Sequence, residues 1–153
     1  MAKRSAKATT SIADTAAVRY IESSALIAAL LERDGAALKS VRTRGRTVTS
    51  ALTIAETARA ILRARATGRL TVDQERVAVR ALRRFERRCF VVAVTDAILT
   101  RVRRPFPIGP IRTLDAVHLA TTELLGEPPP SIVVVTRDVR VRENAQALGY
   151  VVE

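Results

Sequence analysis

The stretch YIESSALIAAL, residues 20–30, determines how the rest of the chain is interpreted. It begins like a buried β-strand and continues as a run of apolar residues with helical spacing. Between the two stands a carboxylate, Glu22, followed by Ser23 and Ser24, which are typical helix caps. One acid beside a helix N-terminus is favourable in its own right and proves no function. Its meaning depends on whether other acids occupy equivalent places.

The rest of the chain alternates short apolar runs with helical segments, which is typical of an α/β domain with a mainly parallel sheet. The predicted strands cover residues 18–21, 47–51, 90–94, 131–135 and 150–152. The predicted helices cover residues 23–33, a second short segment between Gly35 and residues 42–46, residues 54–65 and 72–88, a segment from 95, a segment from 113 to Gly126, and 139–148. We find no internal repeat and no linker that would divide the chain. Residues 17–153 are therefore predicted to form one domain, and residues 1–16 a basic, flexible tail.

Composition limits the classes of protein to consider. The chain has 153 residues, enough to bury a full core without disulfide staples. Cys89 is the only cysteine, so no disulfide can form within the chain, and a cytoplasmic setting is expected. No apolar stretch approaches the roughly 18 residues of a membrane span, and the N-terminus lacks the apolar core of a secretory signal. We therefore expect no membrane association.

The net charge of +11 comes from 26 Lys and Arg against 15 Asp and Glu. Arginine forks match phosphate geometry, so this balance favours nucleic acid as a partner. An arginine-rich surface, or a face for an acidic protein partner, would have the same composition. The helix over residues 72–88 places several arginines on one broad face that could follow nucleic-acid phosphates or could simply be solvated. They are Arg76, Arg80, Arg83, Arg84 and Arg87.

Three further acids occupy places like that of Glu22, at strand ends or in the first turns of helices: Glu56, Asp115 and Asp138. In an open parallel sheet these places lie along one edge, where ligands usually bind. Converging carboxylates would repel each other without a cation, and oxygen ligands suit Mg²⁺ or Mn²⁺. Each acid also has a structural explanation. Glu56 fits a capping box with Thr53, Asp138 fits an N-cap, and Asp115 fits a first-turn acid.

The acids lie in segments that resemble the signature segments of PIN-domain ribonucleases, specifically the VapC toxins of VapBC toxin–antitoxin pairs. The segments are YIESSALIAAL, TVTSALTIAETARAIL, RTLDAVHLATTEL and VVVTRDVRVRENAQALGY. The resemblance covers residues 18–153 and implies a compact α/β/α sandwich with a mainly parallel central sheet. It also implies an endoribonuclease toxin that hydrolyses RNA phosphodiester bonds through an acidic Mg²⁺ or Mn²⁺ site.

The resemblance also assigns roles to individual residues. It implies that Glu22, Glu56, Asp115 and Asp138 are catalytic and that Glu22, Asp115 and Asp138 hold the metal. Thr136 matches a hydroxyl residue commonly found near the last acid, and Ser23 is taken as a second supporting residue. The implied partners are an RNA substrate, a VapB-like antitoxin and a second copy of the chain in a homodimer. The arginine face over residues 72–88 is then equally suited to an acidic antitoxin tail.

Glu22 departs from the family pattern, which normally has aspartate at this position. The extra methylene moves the carboxylate by roughly 1.5 Å, and a misplacement near 1 Å can cost on the order of 10²-fold in rate. Two hypotheses stay open: a working nuclease with a displaced ligand, or a catalytically impaired PIN-like protein that only binds RNA or its antitoxin. If the ligand is displaced, Glu22→Asp is expected to raise activity.

Two other titratable residues lie near these acids. His118 is on the same helix face as Asp115, and we interpret it as a packing or hydrogen-bonding residue rather than a general base. Asp96 follows an apolar strand, and we interpret it as a helix cap rather than a fifth acid of the site. A dinucleotide-binding domain is excluded because no glycine-rich turn follows the first strand. A haloacid-dehalogenase-type phosphatase is excluded because its paired aspartate motif is absent.

Overall fold

The computed structural model describes residues 18–153, so the tail predicted at residues 1–16 lies outside the described residues. The strands are β1 (Val18–Ile21), β2 (Arg46–Ser50), β3 (Phe90–Val92), β4 (Ile132–Val135) and β5 (Val151–Val152). They form one sheet in the order β3-β2-β1-β4-β5, and every neighbouring pair is parallel. The predicted α/β class is confirmed, with a sheet that is parallel throughout rather than mainly parallel.

Seven α-helices connect these strands within residues 18–153. They are α1 (Ser23–Leu31), α2 (Gly35–Arg42), α3 (Ala51–Ala66), α4 (Val72–Glu86), α5 (Asp96–Val102), α6 (Thr113–Glu123) and α7 (Val139–Ala147). Helix α3 begins three residues before the predicted start at Ile54, because Ser50 caps it by accepting a hydrogen bond from the amide of Leu52. None of the described helices is long and apolar enough to cross a membrane.

Helices cover both faces of the sheet, which confirms the predicted α/β/α sandwich. Because successive strand side chains point to opposite faces, Tyr20 packs on the side of α5, α6 and α7, whereas Ile21 packs on the side of α1, α3 and α4. Strands buried on both faces read as continuous apolar runs, and IVVV at 132–135 is such a run.

The order of the strands places a crevice at the end of β1. The chain moves outward from β1 to β2 and β3, and then crosses back to β4 and β5 on the other side of β1. Helices leave the sheet in opposite directions at such a switch point and open a crevice beyond the carboxyl ends of the strands. Ile21 lies opposite both Thr49 and Val135, and the amide of Glu22 donates to the carbonyl of Val135 at 3.0 Å. The residues that follow β1 and β4 therefore leave the sheet side by side.

Candidate metal centre

Glu22 ends β1 and caps α1. Its backbone is extended (φ −87°, ψ 157°), and its carboxylate accepts a hydrogen bond from the amide of Ser24 at 3.0 Å. The prediction that Ser23 and Ser24 cap the helix is wrong: the acid is the N-cap and the serines are the first helical residues. Both serine hydroxyls donate to the carboxylate, as does the hydroxyl of Thr136 at 2.8 Å. Glu22 is 3% exposed, so these donors replace water around its charge.

His118 connects two of the predicted acids. Its Nε2 lies 2.8 Å from Oε2 of Glu56 and 3.6 Å from Oε1 of Glu22, and its Nδ1 lies 2.9 Å from the hydroxyl of Tyr20. A carboxylate only accepts hydrogen bonds, so Nε2 carries a hydrogen, and in the neutral imidazole Nδ1 accepts from Tyr20. Burial, followed by the negative charge of Glu22, raises the pKa of Tyr20 well above 10.0, which keeps this hydroxyl protonated. His118 thus orients Glu56 toward Glu22.

Glu56 does not form the capping box considered from the sequence. Thr53 lies inside α3 and its hydroxyl donates to the carbonyl of Ile21, at 3.4 Å, so it cannot cap the helix. Burial raises the pKa of Glu56, but the hydrogen bond from His118 and its electrostatic effect, with a smaller contribution from the nearby Ser23 hydroxyl, outweigh it. The pKa of Glu56 lies below its ordinary value of 4.5, so this carboxylate is ionised at neutral pH.

Asp115 and Asp138 form a second pair of acids, joined by an arginine. Asp138 is the N-cap of α7, as predicted, and its Oδ1 accepts from the amides of Arg140 and Val141 at 2.8 and 3.1 Å. Arg112 donates through Nε to Oδ2 of Asp115 and through Nη2 to Oδ2 of Asp138, both at 3.1 Å. This guanidinium spans the carboxylates of two different helices.

The pKa of Asp115 is affected by charges in both groups of acids. Burial raises the pKa of Asp115 above 3.8; the hydrogen bond and charge of Arg112 oppose this, while the negative charges of Asp138 and Glu22 add to it. The net direction is upward. Asp115 therefore experiences more negative charge and desolvation than one arginine balances.

The hydroxyl groups of Thr136 and Ser24 connect the end of β1 to the turn that precedes α7. Thr136, which is fully buried, donates to Glu22 and accepts from the amide of Asp138 at 3.0 Å. The hydroxyl of Ser24 accepts from the amides of Arg137 and Asp138 at 2.8 and 3.1 Å. The turn between β4 and α7 is thereby fixed against the end of β1.

The donor atoms that come closest together belong to Glu22, Glu56 and His118, all within 4.8 Å of one another. Carboxylate oxygens suit Mg²⁺ and Mn²⁺, and an imidazole nitrogen suits transition metals. In the part of the chain that the structure describes, Asp115 and Asp138 are not members of this close group, and Arg112 contacts both.

The remaining sequence candidates lie on the surface. Asp96 is exposed in the first turn of α5 and does not cap it, since Thr95 is the N-cap. The four arginines of α4 named from the sequence and Arg87, its C-cap, are all exposed, whereas Ala78 and Leu82 on the same helix are buried. Sequence reasoning gave no role to Arg112 or to the hydroxyl of Tyr20. The only available signal for Arg112 was its spacing of three residues from Asp115.

The fold and the site together define an α/β/α protein with a carboxylate-rich crevice at the switch point of a parallel sheet. The family model of the PIN domain matches residues 19–147. The chain belongs to the PIN domain family, and its similarity in sequence is to VapC proteins, as the signature segments predicted.

Ribonuclease VapC35 of Mycobacterium tuberculosis is 35% identical over 137 residues, which cover 87% of this chain and 93% of that protein. Among solved structures, M. tuberculosis VapC20, a toxin that cleaves the sarcin–ricin loop, matches with a TM-score of 0.61 at 18% identity, covering 87% of this chain and 96% of that one. Rickettsia felis VapBC2 bound to promoter DNA matches with a TM-score of 0.58 at 10% identity, covering 89% and 97%. The two structures share the fold, and VapC35 shows the closer relation in sequence.

Proposed function

We propose that the protein is a metal-dependent endoribonuclease toxin of a type II toxin–antitoxin pair, which hydrolyses RNA phosphodiester bonds. The observation that carries the proposal is that Glu22 and Glu56 lie in one close group, while Asp115, which shares Arg112 with Asp138, experiences the charge of Glu22. Similarity to a protein named as a ribonuclease supports the reaction class. The net charge of +11 supports RNA as the substrate.

The proposed metal ligands are Glu22, Asp115 and Asp138, and Glu56 is the fourth catalytic acid. The donor chemistry fits Mg²⁺ or Mn²⁺ because it consists of carboxylate oxygens. The raised pKa of Asp115 is consistent with negative charge that a cation would balance. When bound, such a cation polarises the scissile phosphate and makes an attacking water more acidic.

The residues around these acids hold them in place for that reaction. Thr136 and Ser23 fix the two oxygens of Glu22 at 2.8 and 2.6 Å. His118, itself held by Tyr20, fixes one oxygen of Glu56. Asp138 gives Oδ1 to the amides of α7, which leaves Oδ2 directed toward Arg112 and Asp115. Ligands supported in this way need little rearrangement before they act.

We further propose residues 17–153 as the catalytic domain, a VapB-like antitoxin and a second copy of the chain as partners, and the cytoplasm as the location. Solved VapBC assemblies of the same fold, from Rickettsia felis and Haemophilus influenzae, support the antitoxin. The alternative is an impaired protein that binds RNA or antitoxin without cleaving. Glu22 in place of aspartate favours that alternative, whereas the complete set of donors around Glu22 favours an active site.

Cleavage mapping on total RNA with purified protein and Mg²⁺ tests the proposal. We expect Asp115→Asn and Asp138→Asn each to reduce cleavage by at least on the order of 10²-fold, the loss that a misplaced catalytic group causes. Both changes remove charge without removing volume, and Asn at position 138 can still cap α7. The fold, followed by circular dichroism and thermal unfolding, should therefore persist.

Asp96→Asn is the matched control, because it makes the same acid-to-amide change at an exposed first-turn position outside the site. It should cleave like the unmodified protein. Unchanged cleavage by Asp115→Asn or Asp138→Asn, with contaminating nuclease excluded, would remove that residue from the site. Cleavage that persists in full after chelation of divalent cations would contradict the proposal as a whole.

A further inference from the structure

Arg112 forms ion pairs with Asp115 and Asp138, two of the acids that we propose as metal ligands. Its side chain is 65% exposed, whereas those of Asp115 and Asp138 are 14% and 22% exposed. The guanidinium therefore reaches from solvent into the crevice and meets both carboxylates at 3.1 Å. One exposed positive charge is thus shared between two largely buried negative ones and balances them only in part.

The stability of α6 does not explain an arginine at this position. Arg112 is the N-cap of α6, and its side chain makes no capping hydrogen bond. The positive end of the helix dipole disfavours a cation here, and Ser, Thr, Asp or Asn would cap better. What the arginine gains from this position is contact with Asp115 and Asp138. The placement therefore points to the chemistry of the crevice.

We propose that Arg112 is a substrate-positioning residue, which holds Asp115 and Asp138 until a divalent cation displaces it and then binds an RNA phosphate beside the site. This inference rests on the proposed nuclease function. Ion pairs made by an exposed side chain are weak, so a divalent cation that prefers carboxylate oxygens can replace the guanidinium. The guanidinium fork matches phosphate as well as carboxylate.

The displaced side chain stays close to the crevice because its backbone is part of the helix start. The carbonyl of Arg112 accepts from the amide of Ala116 at 2.9 Å, so the residue cannot move away from Asp115 without unwinding the first turn. Only the side chain is free to swing. The guanidinium of Arg112 therefore stays close to the entrance of the crevice, where the phosphates of a bound strand would lie.

The first measurement is Mn²⁺ affinity without RNA, from the electron paramagnetic resonance signal of free Mn²⁺. We expect Arg112→Ala to bind Mn²⁺ about three- to tenfold more tightly than the unmodified protein, the range expected for the loss of two weak ion pairs. Arg103→Ala is the control. It removes one exposed positive charge at the end of α5 from a residue without an ion pair among residues 18–153, and should leave the affinity unchanged.

The outcomes separate the two proposals. Equal Mn²⁺ affinity in the unmodified protein and Arg112→Ala would overturn the inference and leave the nuclease proposal standing. If none of the proteins binds Mn²⁺, the proposed metal-dependent function fails, and the inference fails with it. Thermal unfolding of both variants shows whether a structural change accounts for any difference.

The second measurement tests the contact with phosphate, by fluorescence anisotropy of a labelled single-stranded DNA of mixed sequence, which presents the same backbone charges. With saturating Mn²⁺, Arg112→Ala should bind this strand several-fold more weakly than Arg103→Ala. Without Mn²⁺ the two variants should match, because Arg112 is then held by its acids. Arg112→Lys keeps the charge but lacks the fork and should be intermediate. Equal binding by Arg112→Ala and Arg103→Ala with Mn²⁺ present would overturn the phosphate contact.

Discussion

The carboxylate of Glu22 is positioned by three hydroxyl groups and one backbone amide. Shortening the side chain by one methylene withdraws the carboxylate by roughly 1.5 Å. It could then no longer accept from both Ser23 and Thr136, which lie 2.6 and 2.8 Å from its two oxygens. The structure therefore leads us to expect that Glu22→Asp lowers cleavage, by up to on the order of 10²-fold. This is the reverse of what the family pattern alone favours.

The measurement is the Mn²⁺ dependence of single-turnover RNA cleavage, compared with Glu32→Asp. Glu32 is an exposed glutamate at the other end of α1, so the same change there should have no effect. A faster aspartate form at position 22 would support the displaced-ligand hypothesis and refute ours. An unchanged rate would mean that the length of the side chain at position 22 does not affect cleavage.

The positions of the four acids were accessible from the sequence, but their partners were not. Strand ends and first turns can be located from apolar periodicity, and in a parallel sheet they share an edge. The partners lie far away in the chain: Tyr20 and His118 are 98 residues apart, and His118 and Glu56 are 62 apart. Only the tertiary fold, which brings His118 of α6 beside Tyr20 of β1 and Glu56 of α3, determines these pairs. For this reason a hydrogen-bonding role for His118 could be proposed, but not which acid it orients.

At the level of elements, the sequence indicated each strand and helix, but it placed the start of α3 three residues late and assigned the cap of α1 to the wrong residue. In both cases the N-cap lies at or directly after the end of a strand. Glu22 directly follows β1 and caps α1, and Ser50 is the last residue of β2 and caps α3. No loop residues separate strand from helix there, so the usual signal of a polar cap after a loop is missing. The same short connections are what bring the acids to the edge of the sheet.

Arg19 connects three elements at one side of the sheet. It lies on β1, is 8% exposed, and donates through Nη2 to the carbonyl of Ser40 at 3.1 Å and to Glu153 at 2.6 Å. The hydroxyl of Ser40 donates to the same glutamate. These two hydrogen bonds, followed by the charge of Arg19, hold the pKa of Glu153 below its ordinary value of 4.5 although burial opposes them. The buried charge of Arg19 is thus balanced by one acid, Glu153, which follows β5.

We expect Glu153→Gln to lower the free energy of unfolding at pH 7 by about 1–2 kcal/mol, between the values for exposed and buried pairs. A folded-state pKa below the unfolded value means that the stabilisation is present above pH 4.5 and is lost as pH falls through the lower, folded-state value. The difference between the two proteins should therefore shrink below about pH 4.5. Urea unfolding from pH 3 to pH 7 measures it.

Glu127→Gln is the control, because Glu127 pairs with an exposed arginine, Arg46, whose side chain is 63% exposed. We expect that change to cost less than about 1 kcal/mol at any pH. A stability difference for Glu153→Gln that is constant from pH 3 to pH 7 would contradict the assigned pKa direction. No difference at pH 7 would mean that Arg19 is satisfied by Ser40 alone.

The whole molecule carries +11 charge with few aromatic side chains, so the proposed binding of RNA would have to come from phosphate contacts. The exposed face of α4 is one candidate for such contacts. Arg76 is partly engaged by Asp73, whereas Arg80 and Arg84 make no ion pair with the described residues. The sequence left open whether this face meets RNA, an acidic antitoxin tail or only solvent. The structure shows that this face is exposed.

The salt dependence of RNA binding distinguishes these possibilities. Each phosphate contact to a single strand contributes about −0.7 to the slope of log affinity against log salt. If α4 follows the RNA backbone, replacing Arg80 and Arg84 by alanine should flatten the slope by about 1.4 as well as weaken binding. The control replaces Arg42 and Arg44, two exposed arginines in the segment that leads into the amino end of β2, away from the acids at the carboxyl ends.

Both double variants lose the same net charge, so a purely global electrostatic effect would weaken binding equally in each. We expect the α4 variant alone to flatten the slope, measured by anisotropy of a labelled single-stranded RNA with divalent cations chelated. Equal slopes in the two variants would exclude α4 as the RNA-binding face and leave it for an acidic antitoxin or for solvent. A slope near zero in the unmodified protein would contradict phosphate-driven binding altogether, because a chain with this charge and so few stacking residues has no other general means of holding a single strand.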